Sequence, residues 1–206
     1  MTILTVAQTK QWMEEINKRM KEHKEQLTEL DQAIGDGDHG INMARGFSEV
    51  INKIADTEYD TVADVLKSAA MTLTAKVGGA SGPLYGTAFL KMSMALQNKD
   101  VNQQNFQAAM EAALEGIKMR GKAEFGEKTM YDVWYQVTAF LKSEKVEDWQ
   151  EMMEVCQATL EDTREMVATK GRASYLNERS IGHIDPGSMS SFYIFEALVA
   201  VLEVEE

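Results

Sequence analysis

Apolar side chains return at spacings of three and four along nearly the whole of this 206-residue chain, and no stretch alternates Val, Ile, Thr and aromatic residues with a period of two. The first pattern marks a helix buried along one face, and the second, missing here, would mark a half-buried strand. An all-α fold is therefore predicted. The first segment, from about Thr5 to Leu30, puts Ile16, Met20, His23, Leu27 and Leu30 on one face, with His23 expected as a core histidine. Further helical runs carry Phe47 to Ile54, Val62 to Val77, Pro83 to Leu96 and Phe106 to Ile117. Two more follow, Met130 to Leu141, entered at Thr129, and Trp149 to Val167, which holds the single Cys156 on its apolar face. The eighth, SMSSFYIFEALVAVLE after Gly187, is apolar on most sides and is predicted to be the most enclosed. The 14 methionines recur on apolar faces, where gap-filling is their usual role.

The connections between these segments fall into two kinds. ADTEYD, QNKDVN and SEKVED are short, polar and free of glycine, whereas DQAIGDGDHG, VGGASG, GKAEFGEKT and KGRASYLNERSIGHIDPG hold eleven of the 14 glycines. The two kinds alternate along the chain. If consecutive helices run antiparallel, as short connections favour, every glycine-bearing connection emerges at the same end of an all-helical bundle or barrel. Glycine belongs where backbone turns sharply or approaches a ligand closely, so that end is the expected ligand site.

Composition narrows the ligand. Lys and Arg total 21 against 33 Asp and Glu, a formal charge of −12, which disfavours nucleic acid and anionic membranes as partners. No apolar run reaches the ~20 residues of a membrane span, and the start MTILTVAQTKQWMEE lacks the basic flank and apolar core of a signal peptide. One cysteine can form neither an internal disulfide nor a thiolate metal site. A cytoplasmic protein with one domain over residues 1–206 is expected.

Asp31, Asp36 and Asp38 stand in an Asp-x4-Asp-x-Asp spacing whose intervening glycines let the backbone fold three carboxylates toward one point. Two carboxylates ~5 Å apart repel by about 3 kcal/mol at an effective dielectric near 20, so three call for a cation or for protonation. Asp31 also faces inward at the carboxyl end of its helix, where negative charge is disfavoured. A hard divalent ion such as Mg²⁺, bound through oxygen and completed by phosphate, would resolve both conflicts. Solvated turn residues, with Asp38 capping the next helix, are the alternative. The run Gly78, Gly79, Ala80, Ser81, Gly82 ahead of Pro83 offers free backbone N–H groups at a helix start, an anion cradle or else a plain helix terminator with Gly78 as the cap. The last connection, Lys170 to Gly187, has the length of a lid or binding loop. Its Arg172 and Arg179 are available either to phosphate or to surface carboxylates. His39 suits hydrogen bonding or nucleotide positioning better than ligating hard Mg²⁺. Acyl-transfer, dithiol and His/Cys metal constellations are missing, which leaves phosphoryl transfer as the chemistry.

Four motifs, in order along the chain, carry a resemblance: GDGDHG with upstream Asp31, GGASGPLYG, Gly126-x-Lys-Thr-Met130, and GRASYL followed by ERSIGHIDPG. Together they resemble the nucleotide-binding L subunit of dihydroxyacetone kinase, in its stand-alone, phosphotransferase-system-dependent form. The resemblance implies a closed barrel of eight antiparallel helices with nucleotide at one end. It implies that Asp31, Asp36 and Asp38 hold two Mg²⁺ ions on the phosphates of ADP or ATP. His39, Gly40, Ile41 and Asn42, with Gly79, Ala80 and Ser81, would line the phosphate and ribose region. Gly121, Thr129, Met130, Asp185, Pro186 and Gly187 would complete the pocket, and Arg179 would neutralise charge during transfer. Glu127 stands where the family pattern has Asp, and Asn177 where it has Gly. The implied partners are a K subunit that holds dihydroxyacetone and a phosphohistidine protein of the phosphotransferase system, with phosphoenolpyruvate as ultimate donor. The alternatives are a homologous kinase subunit serving another hydroxyketone and a nucleotide-loaded module that binds a transcriptional regulator.

Overall fold

The computed structural model describes residues 2–143 and 148–203; positions 144–147 of the SEKVED connection lie outside the described residues. Among the described residues, nine α-helices account for most of the chain. They are α1 (Val6–Glu22), α2 (Lys24–Ile34), α3 (His39–Ile54), α4 (Val62–Lys76), α5 (Ser81–Leu96), α6 (Gln103–Gly121), α7 (Met130–Leu141), α8 (Trp149–Glu165) and α9 (Pro186–Leu202). Two short 3-10 turns over Arg172–Ser180, separated by a kink at Asn177 with φ 51° and ψ −127°, lie between the last two. Among the described residues the one extended pairing is an isolated bridge between Thr2 and Asn102, as expected for an all-α chain. No described helix is long and apolar enough to cross a membrane.

The sequence pattern predicts one helix where the structure has α1 and α2. The chain breaks at His23, whose φ of −103° and ψ of 15° leave helical geometry. Neither proline nor glycine marks the break, and the apolar spacing runs through it unchanged, so periodicity alone cannot show it. The break is held from outside. His23 is half-buried rather than core, and its ring stacks on Tyr193 of α9 with centroids 4.3 Å apart, while the Tyr193 hydroxyl donates to Gln26 Oε1 at 2.5 Å.

The helix starts follow side-chain capping, in which a short polar residue accepts an otherwise unpaired first-turn amide. Thr5 forms a capping box with Gln8, Thr129 forms one with Asp132, and Thr61, Asn102 and Asp148 cap α4, α6 and α8. Consecutive helices pack side by side from α2 to α9, and α9 returns against α1 and α2, so the succession of contacts closes on itself. α5 runs antiparallel to α4, since Gly86 lies against Ala70 and Thr74 while Ser93 Oγ donates to Ala63 O. Twelve of the 17 residues of α9 are buried, the largest number in any described helix, although the shorter α7 buries a larger share, nine of 12, so α9 is not the most enclosed by proportion. Trp12 and Trp134 anchor the core around it, packing edge-on against Phe89 and Phe195. Their indole N–H groups donate to Ile194 O and Ser191 Oγ, which fixes the turn of α9 that faces the site.

Candidate metal and anion site

All four glycine-bearing connections meet at one end of the molecule. Arg172, in the connection before α9, pairs with Asp36 between α2 and α3 at 2.8 Å. His39 at the start of α3 bonds through Nδ1 to Ser81 Oγ of α5 at 3.1 Å and through Nε2 to Ser190 Oγ of α9 at 2.8 Å. Ser188 Oγ donates to Thr129 O at 2.8 Å, which brings in the connection before α7. Beneath these contacts the Tyr85 hydroxyl donates to Gly187 O at 2.9 Å and meets Ser190 Oγ and Ser191 Oγ at 2.6 and 2.9 Å. Burial pushes the Tyr85 phenol well above its ordinary range and the His39 imidazole down to about 4. His39 is therefore a neutral hydrogen-bonding hub with both ring nitrogens engaged.

Asp31, Asp36 and Asp38 each offer an oxygen within 4.8 Å of the others; Asp31 is buried and the other two are exposed. The sequence left open whether Asp38 caps α3. It occupies the cap position but its side chain makes no cap bond. Asp31 does that work from the last turn of α2, its Oδ2 accepting from Asp38 N at 2.9 Å and His39 N at 3.1 Å. Burial raises the Asp31 pKa, the two amides oppose that rise, and the charges of Asp36 and Asp38 add to it. This junction requires close backbone approach, because a Cβ on Gly40 would collide with Lys24 O and Thr28 Oγ1 of α2. Three carboxylates with one exposed arginine as counter-ion form a set of oxygen donors suited to a hard cation.

The neighbouring residues frame an anion site. Gly79 adopts a φ of +67° with open space where a Cβ would stand, and Ala80 leaves the first amides of α5, from Ser81 on, without a side-chain cap. Such amides attract anions. Ile41 is exposed on the first turn of α3, and the buried Asn42 accepts from Arg45 at 2.9 Å. Gly121 ends α6 beside Leu84, Met130 is buried against Gly187, and the Thr129 hydroxyl is spent capping α7. Asp185 is likewise spent: it caps α9 through Ser188 N at 2.6 Å ahead of Pro186, and burial raises its carboxyl to about 7. Arg179 is exposed on the second 3-10 turn and forms no ion pair with the carboxylates.

Several structural residues of this end escape the sequence reading. Asp132, buried, accepts from Thr129 N and Gly126 N and so holds the turn into α7. Lys128 is 1% exposed with a φ of +62°, a left-handed backbone that costs a non-glycine residue on the order of 1 kcal/mol. Glu127 accepts from Glu124 N and Thr169 Oγ1. The one available signal was position: Glu127 and Lys128 lie in a glycine-bearing connection, directly before the capped first turn of α7 that holds Asp132.

The sequence family described as the DAK2 domain matches residues 33–200. The chain belongs to the DAK2 domain family. It is 51% identical over 188 residues to the ADP-binding subunit DhaL of PEP-dependent dihydroxyacetone kinase 1 of Listeria innocua serovar 6a, covering 91% of this chain and 92% of that one. It is 46% identical over 201 residues to the ADP-binding subunit DhaL of the PTS-dependent dihydroxyacetone kinase of Lactococcus lactis subsp. lactis, covering 97% and 100%. These relatives bear out the resemblance carried by the four motifs. Among solved structures the fold is similar to the dihydroxyacetone kinase of C. freundii in its native form, with a TM-score of 0.76 at 23% identity. The same enzyme in complex with AMP-PNP and Mg²⁺ gives a TM-score of 0.76 at 22% identity. In both, the match covers 97% of this chain and 35% of the kinase, so the chain spans about a third of that protein.

Proposed function

We propose that this chain is the ADP-carrying subunit of a phosphoenolpyruvate-dependent dihydroxyacetone kinase. It takes phosphate from a phosphohistidine protein of the phosphotransferase system and passes it to dihydroxyacetone held on a K subunit. The observation that carries this reading is the cluster of Asp31, Asp36 and Asp38 carboxylates next to His39, which bonds Ser81 at the uncapped amino terminus of α5, in a chain 51% identical to an ADP-binding subunit over nearly its whole length.

The residues present fit a magnesium nucleotide. An all-oxygen donor set suits Mg²⁺, and the open backbone at Gly79 and Ala80 suits phosphate. In this reading Asp31, Asp36 and Asp38 hold two Mg²⁺ ions, with Asp31 oriented by the amides of Asp38 and His39. The first turns of α3 and α5, from His39 to Asn42 and at Ser81, flank the phosphates and ribose. Gly121, Met130 and the Asp185-Pro186-Gly187 turn close the far side, and Thr129 and Asp185 act by fixing helix starts. Arg179, exposed and unpaired among the described residues, neutralises charge on the phosphoryl group in transit, and Arg172 exchanges Asp36 for phosphate. When bound, the metal nucleotide supplies a phosphoryl carrier whose charge is already partly offset.

Native mass spectrometry of protein purified in Mg²⁺, before and after EDTA, tests the assignment. The expected result is ADP with two Mg²⁺ lost together on chelation, and no retained ADP in Asp36→Ala or Asp38→Ala. A protein that takes up neither, or variants that retain both, would overturn it.

A further inference from the structure

We infer that Lys128 is a positioning residue whose ammonium closes the neck of the 166–180 segment and so sets where Arg179 stands. The segment leaves the helical frame at Met166, just past α8, and its 3-10 portion ends at Ser180, ahead of α9. Lys128 Nζ donates to both ends, to Met166 O at 3.2 Å and to Ser180 O at 2.7 Å. Ala168 N donates to Ser180 Oγ at 2.9 Å across the same neck. Between these points lie the two 3-10 turns that carry Arg172 and Arg179 on either side of the Asn177 kink, with Arg179 adjacent to the anchored Ser180.

Lys128 is not core filler. An apolar side chain at a site 1% exposed would avoid the desolvation of an ammonium, and a left-handed lysine persists where its surroundings hold it there. The acceptors are backbone carbonyls, so the contact secures chain path rather than a partner's charge. Burial lowers the Lys128 pKa, and the charges of Asp185 and Glu165 oppose that shift. Glu127, the preceding residue, takes the outer side of the same segment, accepting from Thr169 Oγ1 at 3.0 Å and facing Lys170 Nζ at 3.7 Å. Two consecutive residues thus grip the segment from inside and outside.

The inference rests on the proposed role of Arg179, and two readouts keep the two apart. In hydrogen exchange on the nucleotide-free chain, Lys128→Met should speed amides of residues 168–181 by about 10-fold or more, the scale of a lost charge-assisted hydrogen bond, and leave α1–α7 unchanged. In the complex reconstituted with the K subunit and the phosphohistidine donor, kcat should fall about 10-fold with KM for the donor changed less than about twofold. In an Arg179→Ala background Lys128→Met should lower kcat no further. Wild-type exchange, or independent losses that multiply, would overturn the inference. Faster exchange beside a fully active Arg179→Ala chain would support the grip on the segment and overturn the role of Arg179 instead. Should Lys128→Met not fold, Ser180→Ala removes both hydrogen bonds of the Ser180 hydroxyl, from Ala168 N and to Asn177 O, but leaves the Lys128 ammonium spanning Met166 O and Ser180 O; amides of 168–181 that then exchange as fast as an open loop overturn the inference.

Discussion

Replacing Asp185 with Asn should stabilise this protein at neutral and alkaline pH and remove a pH dependence. The Asp185 carboxyl is buried at the start of α9 and is pushed up from its ordinary 3.8 to about 7, first by burial and then by the charge of Asp132, with the Ser188 hydrogen bonds and the Lys128 charge opposing. Between those two values the folded chain holds a proton that the unfolded chain has released. Stability from this group is therefore complete below pH 4 and is lost as pH rises toward 7 and beyond. The slope is about 1.4 kcal/mol per pH unit, and over the roughly three units separating the values it amounts to about 4 kcal/mol. Asp185→Asn keeps a side-chain oxygen to accept from Ser188 N but cannot ionise. Urea unfolding of both chains from pH 4 to 8 measures the difference, in which titrations common to the two largely cancel. The variant should gain on the wild type steadily from pH 4 to 7 and hold a constant advantage above. Parallel curves across that window would refute the argument that burial, rather than capping, dominates the energetics of this carboxyl.

Three further outcomes follow from the same end of the molecule. Tyr85→Phe removes a buried hydroxyl that meets Gly187 O, Ser190 and Ser191, and calorimetry should show a loss of about 2 kcal/mol, a fall in Tm of roughly 4–8 °C. Gly40→Ala drives a methyl into the backbone of α2, so a loss of about 1–3 kcal/mol in urea unfolding should accompany weaker Mg²⁺ binding in titration calorimetry. Arg172→Ala breaks an exposed ion pair, and its Tm should stay within about 3 °C of the wild type, because such pairs contribute about 1 kcal/mol or less.

Helix content and the gathering of glycine-bearing connections at one end were readable from the amino-acid order, because apolar spacing and glycine placement are local properties. The three carboxylates were readable for the same reason: a separation of seven positions confines Asp31 and Asp38 to one neighbourhood. What escaped depends on contacts distant in sequence. The break at His23 is held by Tyr193, 170 positions on, and leaves no mark in the periodicity. Asp31 was recognised as an awkward charge, yet its acceptance of two amides from the next helix emerges only once α2 and α3 are placed together. Lys128 was invisible as a structural residue because lysine is normally solvated, and its two acceptors lie 38 and 52 positions away.

The glycine-free turns at 55–61 and 97–102 lie away from every contact that assembles the site. Changes there can alter length, charge or attachment without disturbing the carboxylates or the 166–185 connection. That separation makes the 97–102 turn a natural place for a fluorophore or surface tether, by which the protein could be immobilised or followed in a mixture with its working face left free.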